Sequence, residues 1–286
     1  TFRHLVTLLT GWLFARRRTL TAMLKAAGVA GQQHHAAFHR VFSTARWSLD
    51  RVGLVLFTRV AARLGPDTLR LTLDDTHTRK RGTRMFGVGM HHDPLLSSRS
   101  CKILTWGHCW VVLCVVVKVP CCPDRVFSLP VLFRLWLNHD AATRWRVRYR
   151  SKPELAVELL HVLCDAHPTR HFHLLADSAY GGESVLGHLP ATCDLTSRMV
   201  LNARLYTIAA PRTGRPGRPR LRGALLPTPA AMLEARGHRA TLAGYGCRER
   251  LRYVEAVACC YKVPKRPLKV VAVQPLSGGR PRQAFY

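Results

Sequence analysis

The chain has 286 residues and carries 44 Lys and Arg against 16 Asp and Glu, a formal net charge of +28. Hydrophobic residues make up 48%, enough to bury the core of one large domain or two modest ones, which excludes wholesale disorder. So large a basic surplus favours a polyanionic partner through phosphate neutralisation and counterion release, although GC-rich coding that enriches arginine at tolerant surface positions gives the same composition.

The opening segment, TFRHLVTLLTGWLFARRR, is apolar and then basic, the reverse of a secretory signal. The first ~65 residues read as short helices from the spacing of their apolar positions. Thr19 to Ala27 starts at a threonine cap and ends near Gly28; His35 to Trp47 is a second helix; Leu49 to Leu64, capped by Ser48, is a third, stopped by Gly65 and Pro66. Arg16, Arg17, Arg18, Arg40 and Arg46 lie between and along these helices. That pattern suits a DNA-contacting bundle and equally an ordinary helical region with solvated arginines.

The period then changes. Thr68 to Asp75 alternates like a strand and ends in the acidic pair Asp74–Asp75. Met85 to Met90 is a short candidate strand, and Thr105 to Val119 a long one closed by Pro120 and Pro123. Its core, Trp110 to Val117, is the longest apolar run of the chain at 8 residues, far short of the ~20 needed to span a membrane. Lys152 to His167 is an amphipathic helix with Pro153 in its first turn. His171 to Asp177 is a strand, Glu183 to His188 a short helix, and Thr196 to Leu205 a further strand. Pro211 to Gly223 is basic and rich in Gly and Pro, a composition that cannot pack a core. Ala240 to Gly244, Leu251 to Tyr261 and Leu268 to Val273 follow as strands. Strands, helix, strand, helix, strand in this order make an α/β layer with a mixed sheet, an order shared with ribonuclease-H-like domains and in part with other α/β folds.

Two strand-borne acidic sites carry the chemistry. Asp74 and Asp75 sit at the end of the first strand and Asp177 at the end of HFHLLAD. Carboxylates gathered at one edge of a sheet can hold hard divalent cations and support phosphodiester attack; the same residues also suit plain turn and cap roles. The 10 cysteines are scattered with no CxxC pair, which argues against structural zinc and fits a reducing compartment. His91, His92 and Asp93 look like a metal cluster, but adjacent side chains diverge on an extended chain, so polar loop residues are expected there. Trp106, Trp110 and Trp136 are expected in the core. Arg79, Lys80 and Arg81 after the first acidic pair suit phosphate contact or a solvated turn. Arg148, Arg150 and Lys152 could track a DNA backbone. Arg212, Arg215, Arg218 and Arg220, spaced by Gly and Pro, suit a minor-groove arm or a plain linker.

The segments LDDTHTRKRG, GVGMHHDPLLSS, WGHCWVVL, LLADSAYGG and GRPGRPR, in this order, resemble the DDE-superfamily transposases of bacterial insertion sequences. The likeness runs from about Arg40 to the last residue and is most specific around Asp75 and Asp177. It implies a ribonuclease-H-like core that uses Mg²⁺ or Mn²⁺ to cut and join DNA at element ends. It also implies a homodimer on DNA and a cytoplasmic, nucleoid-associated location. On this reading residues 1–66 are a helical DNA-binding or dimerisation region. Residues 67–205 are the catalytic core, and 206–286 a basic loop with a β-rich insertion. Asp75, directly before Thr76, matches the first family carboxylate best; Asp74 matches variants with one residue between Asp and Thr; Asp177 matches the second. The third, a Glu on a later helix in a motif resembling YxxRWxIE, has no counterpart among Glu183, Asp194, Glu234, Glu249 and Glu255. With Thr1 in place of Met and an end at AFY, the chain reads as a fragment. Two other readings stand beside this one: an inactive DNA-binding remnant of such an element, and an unrelated basic RNA-binding protein.

Overall fold

The computed structural model describes residues 1–65, 68–98, 100–210, 220–244, 247–276 and 282–286. Arg212, Arg215 and Arg218 lie outside the described residues, while Arg220 is exposed. Two compact units emerge, Thr1–Arg51 and Val52–Tyr286.

The first unit is helical, as its apolar spacing predicts. Helix α1 is Phe2–Phe14, α2 Leu20–Ala26 and α3 Ala36–Ser43. Thr19 caps α2 by accepting the Ala22 amide, which satisfies one of the free N–H groups of the first turn. Leu8, Leu24, Phe38 and Val41 form a small core. Trp47 closes the chain after α3 by donating from its indole to the Val41 carbonyl at 3.0 Å.

Helix α4, Leu49–Ala61, leads into the larger unit. There the strands are β1 Leu69–Arg79, β2 Gly89–His92, β3 Leu104–Val119, β4 Cys122–Trp136, β5 Phe172–Ala176 and β6 Cys193–Met199. Between β4 and β5 lie α5 (His139–Arg144) and α6 (Lys152–Ala166). Strands β1, β3 and β4 are antiparallel neighbours, and β1, β5 and β6 are parallel neighbours. The central order is therefore β4-β3-β1-β5-β6, a mixed sheet of ribonuclease-H-like type. Strand β2 shares the outer edge of β3 with β4.

The parallel step from β1 to β5 needs a crossover, and α6 supplies it. Its start is fixed by a capping box in which Ser151 and Glu154 satisfy each other's backbone amides, with Pro153 in the first turn. Leu155, Leu159, Leu160 and Leu163 on α6 cover Leu69, Leu71, Leu73, Phe172 and Leu174 on one face of the sheet. These side chains alternate along β1 and β5, so one strand face is sealed and the other is left open.

After a short helix α7 (Glu183–Leu186) and the two-residue strand β7 (Leu205–Tyr206) come α8 (Pro229–Ala235), β8 (His238–Gly244), β9 (Cys247–Cys260), β10 (Leu268–Pro275) and β11 (Gln283–Phe285). Strand β11 pairs with both β6 and β10, so the β-rich segment extends the central sheet instead of standing apart from it.

Several elements differ from the sequence reading. β1 does not stop at Asp75; pairing with β3 carries it on to Arg79. The strand expected at Met85 to Met90 is displaced to Gly89–His92, because Gly87 adopts a positive φ of 73° that breaks extended backbone. His91 and Asp93, expected in a polar loop, are buried at 5% and 2% exposure. Trp106, Trp110 and Trp136 are half-buried; of the three, Trp136 packs against the main core. β6 begins three residues earlier than expected, since its register is set by Cys193 lying opposite Phe172.

Helix α4 packs on β4 through Gly53. A Cβ there would lie 2.1 Å from the Val131 carbonyl oxygen, so Gly53→Ala forces helix and strand apart. The expected loss is about 1–3 kcal/mol, the usual range for overpacking; it is read as a lower urea midpoint with unchanged slope.

Candidate active site

Period-2 alternation places the adjacent carboxylates Asp74 and Asp75 on opposite faces of β1. Asp75 follows Leu71 and Leu73 onto the face that α6 covers. Its Oδ2 accepts from the Lys152 ammonium at 2.6 Å, and its Oδ1 from the Tyr180 hydroxyl at 3.3 Å. The Cys109 thiol lies 3.6 Å from Oδ2. Lys152 occupies the first turn of α6 and stands over the Trp136 ring, 4.7 Å from its centroid. Burial pushes the Cys109 thiol up to about 11, so it stays protonated. Burial, with Asp75 adjacent, likewise raises the Tyr180 phenol. Asp75 is thus held by a cation and a neutral hydroxyl within a packed, half-buried setting.

Asp74 faces the other way. It lines an open cleft of about 570 Å³ with Thr72, Thr76, Trp110, Val112 and Phe133. Burial raises its pKa above the usual carboxylate value; the Asp75 amide it accepts works against this, and the negative charges of Asp75 and Asp177 add to it. The partner across the parallel ladder explains the Asp177 contribution. The last β1–β5 pair is Leu73 with Ala176. Asp74 and Asp177 are the next residue after that pair on each strand, near enough for the charge of Asp177 to act on Asp74.

Asp177 is exposed and its position is set by its backbone and its own side chain. Its Oδ1 accepts the Ala179 amide at 2.9 Å, starting a 3-10 turn over Ser178–Tyr180. Its carbonyl accepts from the buried Ser197 hydroxyl at 2.8 Å. Ser197 in turn pairs through its backbone with Tyr286, whose hydroxyl donates to the Gly181 carbonyl. Gly181 has no room for a side chain: a Cβ would lie 2.4 Å from the Ser197 oxygen and 2.7 Å from the Tyr286 hydroxyl.

Asp74 and Asp177 each follow directly on the last β1–β5 pair, while Asp75 points to the opposite face of β1 from Asp74 and is engaged by Lys152 and Tyr180. Among the described residues, no group of three or more His, Cys, Asp or Glu is arranged to hold a metal ion. Of the basic residues after the acidic pair, Arg79 is engaged: its Nε donates to Asp93 at 2.6 Å. The Arg79 hydrogen bond holds the Asp93 carboxyl well below the usual range, with further donation from Thr105 and the Leu96 amide. Lys80 is half-buried and Arg81 exposed. Arg150 pairs with Glu158, which also accepts from Arg134 at 2.7 Å. His91 is driven down to about 4, first by burial and then by the nearby cations, so it is neutral at physiological pH.

Sequence reasoning missed three residues that organise this region. Lys152, read as a DNA contact, is the Asp75 counterion; Tyr180 and Ser197 hold the two acidic strands in place. Tyr180 and Ser197 follow Asp177 in the chain, yet nothing in local spacing marks them, because their partners are set by β1, β5 and β6 lying side by side.

No helix among the described residues is long and apolar enough to cross a membrane. A comparison with curated proteins gave no match. The family described as DDE superfamily endonuclease matches residues 1–253, which takes in α1 through the first half of β9 and with them both Asp74 and Asp177. With nearly nine-tenths of its length inside that match and a mixed sheet of ribonuclease-H-like type, the chain belongs to the DDE superfamily endonucleases.

Proposed function

We propose that the chain is the catalytic part of an insertion-sequence transposase, a metal-dependent endonuclease that cuts and rejoins DNA at element ends as a dimer. In this reading Asp74 and Asp177 are its two strand-borne metal ligands. The observation that supports the assignment is the β1–β5 register, whose last pair, Leu73 with Ala176, leaves Asp74 and Asp177 as the next residue on each strand, while Asp75 is committed to Lys152. Both residues offer hard oxygen ligands suited to Mg²⁺ or Mn²⁺. The Asp74 pKa is raised first by burial and then by the charges of Asp75 and Asp177, so a bound cation would favour its ionised form. A divalent ion held there supplies water activation and stabilisation of the phosphoryl oxygens. The chain's own contributions are distinct. Asp74 and Asp177 bind and orient, the Trp110 and Phe133 side chains line a largely apolar cleft beside Asp74, and Lys152 neutralises the third nearby carboxylate.

The test is nicking of supercoiled DNA by a chain that also carries the third family carboxylate. Nicking is expected with Mg²⁺ or Mn²⁺, and is lost with EDTA and in Asp177→Asn. Nicking that persists under both treatments removes the metal mechanism.

A further inference from the structure

The hairpin of β8 and β9 carries a row of arginines that the site above does not use. Its register places Arg239 opposite Arg252, Thr241 opposite Arg250 and Ala243 opposite Arg248. Paired residues share a face and every second residue repeats it. Arg239, Arg248, Arg250 and Arg252 therefore stand on one face, while Leu242, Glu249 and Leu251 belong to the other. Arg239, Arg248 and Arg250 are exposed. Arg252 is half-buried, and its guanidinium reaches the Glu234 carbonyl at 3.5 Å. Among the described residues, none of these four arginines has an ion-pair partner.

Like charges set directly across a ladder destabilise it. The neighbouring strand pair avoids that arrangement: Lys269 on β10 reaches Glu255 on β9 at 2.6 Å. An ion pair thus offsets charge between β9 and β10, whereas among the described residues the four hairpin arginines have none, and a polyanion from outside would balance them. Along β9 the arginines repeat every second residue, ~7 Å, about two steps of the 3.4 Å rise per phosphate on one DNA strand. The row offers guanidiniums to a phosphate track.

We infer that this face of the β8–β9 hairpin binds the phosphate backbone of duplex DNA, adding a non-specific binding surface to the endonuclease. The inference rests on the DNA-directed reading above. It is tested by fluorescence anisotropy of the chain Thr1–Tyr286 on a 30-bp duplex of mixed sequence across a salt series. The variant Arg239→Gln/Arg248→Gln/Arg250→Gln is compared with a charge-matched control, Arg59→Gln/Arg63→Gln/Lys118→Gln, after both are checked by thermal melting. The hairpin variant is expected to weaken binding roughly tenfold or more and to flatten the log–log salt slope by ~2–3, at about 0.9 for each phosphate no longer neutralised. Affinity and slope no different from the control overturn the inference and leave the endonuclease reading intact. Wild-type chain that ignores duplex DNA but binds single-stranded RNA overturns both.

Discussion

Asp74→Asn is expected to lower metal-dependent cleavage by roughly 10³-fold, the equivalent of about 4 kcal/mol of charge stabilisation removed from the transition state. The same substitution should make the metal-free chain more stable at neutral pH. Burial raises the Asp74 pKa in the fold, so the folded state holds its proton more tightly than the unfolded chain does. That contribution is fully present below the unfolded value of 3.8 and is lost as pH rises through the raised folded value. At neutral pH an ionised Asp74 therefore works against folding. Asparagine removes the charge and keeps an oxygen for the Asp75 amide, which the carboxylate now accepts at 2.8 Å. Thermal melting gives the readout. Mn²⁺ at 100 times its Kd should stabilise the wild type by about 2.7 kcal/mol and the Asn variant by far less, from a higher metal-free midpoint. A variant that cleaves normally, or that melts lower than wild type without metal, contradicts the assignment of Asp74 as a ligand under charge strain.

The central sheet was legible because its strands are buried on at least one face and show it. Leu69, Leu71 and Leu73 alternate with polar residues, and the valine run of β3 marks a strand within the sheet. β4 was invisible for a specific reason. Its sequence contains Pro130, which argues against a central strand. The structure accommodates it at the sheet edge, where the register slips from Leu113–Leu132 to Cys114–Pro130 and leaves Val131 as a bulge. The helix that packs there brings a glycine, Gly53, to the bulged residue. Strand β11 is only three residues long and exists because β6 and β10 flank it. The candidate site was half legible. Sequence alone put carboxylates on two strands but could not choose between Asp74 and Asp75. Alternation says only that they point apart; which face is sealed depends on where α6 docks, and Lys152 comes from 77 residues away.

The choice between them can be made by breaking the Asp75–Lys152 pair from both sides. The two side chains are 29% and 28% exposed. Lys152→Met leaves the carboxylate in a half-buried site with only the Tyr180 hydroxyl and the Cys109 thiol, and should destabilise the chain by about 2–3 kcal/mol, below the range for a fully buried pair. Asp75→Asn leaves a lysine over Trp136 without its anion and should be milder, since the amide oxygen can still accept from Tyr180. The double variant should recover part of the loss, with a coupling of about 1–2 kcal/mol between residues that touch directly. The pair also has a pH signature. Burial pulls the Lys152 ammonium down, but the Asp75 hydrogen bond and nearby charges outweigh it, so its pKa lies above the ordinary 10.5. Its stabilisation is complete below that value and disappears as pH climbs through the raised one; the wild-type excess in stability over Lys152→Met should persist at neutral pH and shrink in strong alkali. Cleavage decides the role. If Asp75 serves the fold, Asp75→Asn/Lys152→Met retains cleavage within about tenfold of wild type, against the ~10³-fold loss expected of Asp74→Asn. A loss in the double variant as deep as that of Asp74→Asn returns the ligand role to Asp75.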